Sequence, residues 1–164
     1  MSIRNILIAS IYFISIIVPP VYAQSSQAID ITIRDVKGDV EVMLPDSLQW
    51  GSAKEGSIIS EGSQVRTGPS SNATLVFVDS SVSMVDSFTF LTIEKFTKSE
   101  NIVTTRINLS VGSVASTLNN QDSFENNYEI VTPASTVSLN GDEIKKVVAG
   151  SMYGDSERTG YRKK

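Results

Sequence analysis

The side chains that most often carry out chemistry in proteins are missing here. The 164 residues include no histidine and no cysteine. Without histidine there is no side chain that titrates near neutrality as a general base, and no imidazole metal ligand. A Ser-His-Asp triad is excluded outright. Without cysteine there is no disulfide, no thiol nucleophile and no cysteine zinc site. Carboxylates remain. Asp142 and Glu143 are adjacent, so on a strand they point to opposite faces and cannot form one acid/base pair. Asp79 and Asp86 flank an expected hairpin, where aspartate commonly bonds the nearby backbone. Calcium needs several convergent oxygens, and no Asp-x-Asp-x-Asp-Gly loop is present. No glycine-rich phosphate loop offsets these gaps, so the expectation is no enzyme, no cofactor and no metal. The sequons at Asn72 and Asn108 read as chance matches. One candidate ligand contact is left: Trp50, the sole tryptophan. Its apolar bulk suits the edge of a core, whereas an exposed indole would suit stacking on a glycan.

The elements that must position these residues show period-two patterning. Ile29, Ile31 and Ile33 alternate with Asp30, Thr32 and Arg34, and Val40 and Val42 alternate with Asp39 and Glu41. Such alternation buries one set of side chains and solvates the other. Lys37-Gly38-Asp39 between the two runs allows a turn or a bulge. Residues 73–78 are apolar on both faces, as a central strand would be, and Asp79-Ser80 sits where a tight hairpin turn belongs. Further strands are expected around 82–84, 88–93, 102–109, 111–115, 128–130 and 136–139, before Asn140-Gly141, a strong hairpin dipeptide. Polar residues 119–127 read as a surface loop. Turn residues recur about every 8–12 positions, the spacing of a sandwich or barrel, and no window outside the N-terminus fits a helical period.

The two ends differ from this middle. Arg4, an apolar run over residues 6–18, Pro19-Pro20 and Val21-Tyr22-Ala23 form the pattern of a cleaved secretory leader. The run is short for a bilayer span, which takes about 20 residues. Residues 1–23 are therefore expected to be a signal peptide, leaving 141 residues (164 − 23) and no membrane span after cleavage. Losing Arg4 moves the net charge from −4 to −5. That balance argues against nucleic acid as a partner, because it lacks the clustered basic residues such binding needs. Export without cysteine fits a periplasmic or secreted location in a bacterial envelope better than a disulfide-stapled domain. Residues 24–35 read as an N-terminal lead and first strand, and 150–164 as a flexible tail.

An ordered series of residues carries a resemblance. Val36-x-Gly38-x-Val40, Trp50, Gly56, Gly62, Val65-Arg66-Thr67-Gly68, Ala73-x-Leu75-x-Phe77, Leu109-x-x-Gly112-x-Val114 and Val131-Thr132-Pro133-Ala134 resemble the FecR domain family from Val36 to about Leu139, within a β domain expected over residues 36–149. The resemblance is to the stand-alone secreted members. The family's founding members are membrane regulators that relay a receptor signal to a sigma factor. They carry a cytoplasmic helical domain and a transmembrane helix, features this sequence does not show, so anti-sigma activity is not expected. The resemblance implies an all-β extracytoplasmic module. We expect a two-sheet β-sandwich of many short strands, with a β-helix-like winding as the alternative. After Thr-Pro-Ala the family continues with Val-Arg-Gly-Thr, whereas this chain reads Ser138-Leu139-Asn140-Gly141-Asp142-Glu143. The C-terminal edge is therefore expected to be incomplete beyond Leu139, with a short β segment at 144–148. The implied function is a non-catalytic protein-interaction or signalling-associated module whose partner is an envelope protein. The alternative is a structural protein binding peptidoglycan or another cell-wall polysaccharide.

Overall fold

The computed structural model describes residues 27–119, 125–139 and 144–150. The expected signal peptide, the Asn140-Gly141 dipeptide and the tail beyond Gly150 lie outside the described residues.

The all-β expectation is met. Thirteen strands follow in chain order: β1 (Gln27–Ala28), β2 (Ile31–Lys37), β3 (Val40–Met43), β4 (Gly51–Ser52), β5 (Ile58–Ile59), β6 (Gln64–Thr67), β7 (Asn72–Val76), β8 (Val82–Val85), β9 (Phe90–Ser99), β10 (Ile102–Thr117), β11 (Glu125–Val131), β12 (Thr136–Leu139) and β13 (Lys145–Ala149). No described residue is helical. Alternation explains the pattern. In β7, Ala73 and Leu75 are buried while Asn72, Thr74 and Val76 are half-buried, so one side of the pleat faces the core. The hairpin expected at Asp79-Ser80 joins β7 to β8, with Ser80 at φ 64° and its N–H bonded to the Phe77 carbonyl at 3.0 Å.

Hydrogen bonding runs through all the strands as one curled sheet, and β10 is the reason. Its first part pairs with β9 from Ile102 to Val111 and with β11 from Ile102 to Asn108. Its last part pairs with β8 over Val114–Thr117 and with β13 over Gly112–Ser116. One limb thus runs β4-β3-β6-β9-β10-β11-β12, and the other β5-β2-β7-β8-β10-β13. A β-helix-like winding would stack parallel strands, but among the described pairs only β10–β11 is parallel. The expected polar loop at 119–127 is also revised. Residues 125–127 belong to β11, where pairing with the ladder of β10 overrides their polar composition.

Within β10 the buried parity changes. Val103, Thr105, Ile107 and Leu109 are buried, and then Val114 and Ser116. A strand of unbroken pleat cannot bury odd and then even positions on one side. The change occurs beside a bulge at Leu109/Val111 and Gly112, whose φ is +98°. The bulge re-aims the strand so that its second part still turns buried side chains inward.

Side chains from the two limbs meet inside. Phe77, at the end of β7, packs edge-on against Phe96 of β9 at 5.3 Å and against Tyr128 of β11 at 5.7 Å between ring centroids. The Tyr128 hydroxyl shares hydrogen bonds with Ser83 Oγ at 2.5 Å and Ser116 Oγ at 3.2 Å, and the two serines bond each other at 2.7 Å. Burial pushes the Tyr128 phenol up to about 12, against the opposing effect of the Ser116 and Ser83 hydrogen bonds, with the Asp79 charge adding to the rise. An unfolded tyrosine ionises near 10. Between pH 10 and 12 the unfolded chain therefore gives up a proton that the fold retains, and stability falls as pH rises. Below pH 10 this contribution is fully present. In denaturant titrations across that window the wild type should lose about 2–3 kcal/mol more than Tyr128→Phe. Parallel pH profiles for the two proteins would refute the assignment.

Candidate functional site

The chain passes between the limbs at a set of corners, and these corners build the site. The segment between β2 and β3 turns at Gly38, that between β6 and β7 at Gly68-Pro69, that between β8 and β9 over residues 86–89, and β10 crosses at Gly112. The corners are bonded into a column. Ser71 Oγ accepts the Asp39 N–H at 2.8 Å, and the Gly68 N–H donates to the Asp39 carbonyl at 2.8 Å. Thr67 Oγ1 donates to the Asp86 carbonyl at 2.6 Å and accepts the Thr89 N–H at 2.9 Å. Thr89 Oγ1 in turn accepts the Ser113 N–H at 3.1 Å. Glycine is required at Gly38 and Gly112. Each has positive φ, and a Cβ at either would collide with Ser71 or with Thr89 and the Phe88 carbonyl.

At the first corner the column opens into a groove of about 430 Å³ between β3, β4 and β6, lined among others by Asp39, Glu41, Ser52, Arg66 and Gly68. Strand parity explains its polar walls. Asp39 and Glu41 are two residues apart around buried Val40, so both point outward. The register sets Glu41 opposite Ser52 on one side and Arg66 on the other, and Arg66 opposite Phe90. Arg66 Nε donates to Glu41 Oε2 at 2.7 Å. The Arg66 guanidinium carbon also lies 4.2 Å from the centroid of the Trp50 ring. Phe90 approaches that ring at 6.1 Å with the planes tilted by 59°. Trp50 is half-buried, in the segment leading into β4. The candidate ligand contact therefore sits beside the groove, with Arg66 between ring and groove.

The other carboxylates considered from sequence do not join this site. Asp79 is buried, and its two oxygens accept the Ser81 N–H at 3.2 Å and the Ser81 hydroxyl at 2.7 Å, which is hairpin chemistry. Asp86 is exposed and pairs with Lys146 Nζ at 3.2 Å. The Ser87 N–H holds its carboxyl below the ordinary value, with Lys146 helping and partial burial opposing. Asp142 and Glu143 lie outside the described residues. Among the described residues no three His, Cys, Asp or Glu side chains converge to hold a metal ion. The Thr132-Pro133-Ala134 step forms the turn between β11 and β12, where Thr132 Oγ1 accepts the Ser135 N–H at 3.0 Å.

Sequence reasoning missed that Asp39, Glu41 and Arg66 line one groove. Asp39 precedes β3 at the Gly38 corner and Glu41 lies within the strand, one on each side of buried Val40. The pairing of Glu41 with Arg66 needs the β3–β6 register, which no local pattern encodes.

Comparison with known proteins identified no relatives: no protein-family model, no curated protein and no solved structure matches the chain.

Proposed function

We propose that this chain is a non-catalytic, extracytoplasmic protein-interaction module, periplasmic or secreted, which accepts an extended segment of an envelope protein along β12. The location rests on the leader pattern at residues 1–23, and the class on the FecR-like series and the missing catalytic side chains. Under this reading the two limbs serve as the layers of a β-sandwich. The Phe77–Phe96, Phe77–Tyr128 and Ser83–Tyr128 contacts support it.

One observation carries the proposal. β12 pairs with β11 on one side, and among the described residues no strand pairs with its other side. The Ser138 carbonyl accepts a long bond, 3.5 Å, from Lys145 Nζ. In an antiparallel ladder a residue's N–H and C=O point the same way, so Ser138 presents both to the free edge. The strand carries no charge, proline or bulge to block addition. Among the described residues its guard is Lys145, which a partner's backbone would displace, and strand addition is a common mode of peptide recognition.

Ser138→Pro tests this directly. Proline at 138 removes an N–H that points away from the ladder, so stability should change by no more than about 1 kcal/mol. With the mature protein as bait against envelope extracts, the wild type should cross-link a defined partner that the proline variant loses. Equal capture by both, or no partner for the wild type, would defeat the proposal.

A further inference from the structure

The groove beside Trp50 stands at the opposite edge of the limb from β12, and its chemistry differs. Its volume of about 430 Å³ lies within the range of small-molecule sites. Its walls are more polar than apolar and carry acceptors and donors of hydrogen bonds. Asp39, exposed at the Gly38 corner just before β3, and Glu41, in β3, offer two carboxylates on either side of buried Val40. Among the described residues nothing is hydrogen-bonded to the Asp39 carboxylate, while its backbone N–H and carbonyl are both engaged. Ser52 and Arg66 add donors from the flanking strands. Asp39, Glu41 and Arg66 sum to one negative charge (two acidic, one basic), which disfavours phosphate, uronate and other anions. An uncharged ligand rich in hydroxyls matches this set. Its hydroxyls can donate to the carboxylates and accept from the guanidinium.

Arg66 occupies the place such a ligand would need. Its guanidinium covers the indole, held by a cation–π contact at 4.2 Å and an ion pair at 2.7 Å. The Arg66 and Glu41 side chains are 45% and 38% exposed, so both restraints are weak and readily exchanged. When Arg66 swings into the groove to donate to a bound hydroxyl, the face of Trp50 is freed for the C–H side of a ring.

We infer that this groove is a saccharide subsite that takes an uncharged pyranose unit of a glycan. Asp39 and Glu41 accept hydrogen bonds from its hydroxyls, Arg66 donates one, and Trp50 stacks on its ring. The inference is independent of strand addition at β12, and either can fail without the other.

Trp50 is the only tryptophan, so its fluorescence reports on this site alone. The mature protein would be titrated with cellohexaose and chitohexaose, both neutral, and with an oligogalacturonate. A saturable change in Trp50 emission is expected with at least one neutral oligosaccharide and not with the anionic one. Asp39→Asn and Glu41→Gln should each weaken that binding about tenfold or more while melting like the wild type. Calorimetry of Trp50→Phe should show a comparable loss. No saturable response to either neutral oligosaccharide up to about 10 mM would overturn the inference. So would an affinity unchanged in the Asp39 and Glu41 variants, or a preference for the oligogalacturonate.

Discussion

Gly112→Ala should lower the melting temperature of this protein by about 10 °C or more, the largest effect expected of any one-methyl change. Two penalties add at this position. Gly112 has φ +98°, a region that L side chains rarely adopt, and forcing one there costs about 1–2 kcal/mol. The new methyl would also overlap the Thr89 backbone and sit 2.7 Å from the Phe88 carbonyl. Both belong to the bonded corner column, where Thr89 is fixed by Thr67 and Ser113. They can yield only by breaking those bonds, and overpacking of this kind costs about 1–3 kcal/mol. Gly56 supplies the control. Its φ is +79°, and nothing lies within 4 Å of where its Cβ would be. Gly56→Ala should therefore show the backbone penalty alone, about 1 kcal/mol. Thermal melts of both variants separate strain from collision, and equal losses would show that the crossing at Gly112 is not sterically tight.

Phe77→Ala should be the most damaging truncation in the core. Phe77 is 3% exposed and touches aromatic rings from two strands of the other limb, Phe96 and Tyr128. Removing a buried phenylalanine costs about 3–5 kcal/mol in lost transfer energy and unfilled space. The two edge-on ring contacts add about 0.5–1.5 kcal/mol each. Such a loss is a large share of the stability of an ordinary domain. Phe77→Leu keeps most of the volume and should cost markedly less. Urea denaturation gives both numbers. A loss below about 1 kcal/mol in Phe77→Ala would mean that the limbs are held together elsewhere.

What could be read from the sequence follows from how local each signal is. Strand positions were legible because alternation of Ile31, Ile33 and Val40 with polar neighbours is written in consecutive residues. The Asp79-Ser80 hairpin was legible for the same reason. The polar segment at 125–127 misled, because its strand is made by the partner β10 and not by its own residues. The span of β10 was legible only in pieces. Residues 102–109 and 111–115 read as two strands, since the parity change at Gly112 breaks the alternation that marks one.

Trp50 shows the same division at the site. As the single tryptophan it could be named from the sequence, along with its two rival roles. Its neighbours could not. Arg66, Phe90 and Glu41 come from strands far apart in the chain and are set side by side by the register of β3, β6 and β9.

By itself, the sequence determined the all-β class and the absence of histidine and cysteine chemistry, because composition and period-two alternation are local properties. Only the tertiary structure decided that Gly38, Gly68 and Gly112 stack as corners of one column, that β12 pairs on one side with β11 and with no other strand among the described residues, and that a polar groove opens beside Trp50. Each of those depends on which strands pair and in what register. Pairing is fixed by burying the inward faces of both limbs together, a condition no single segment can express.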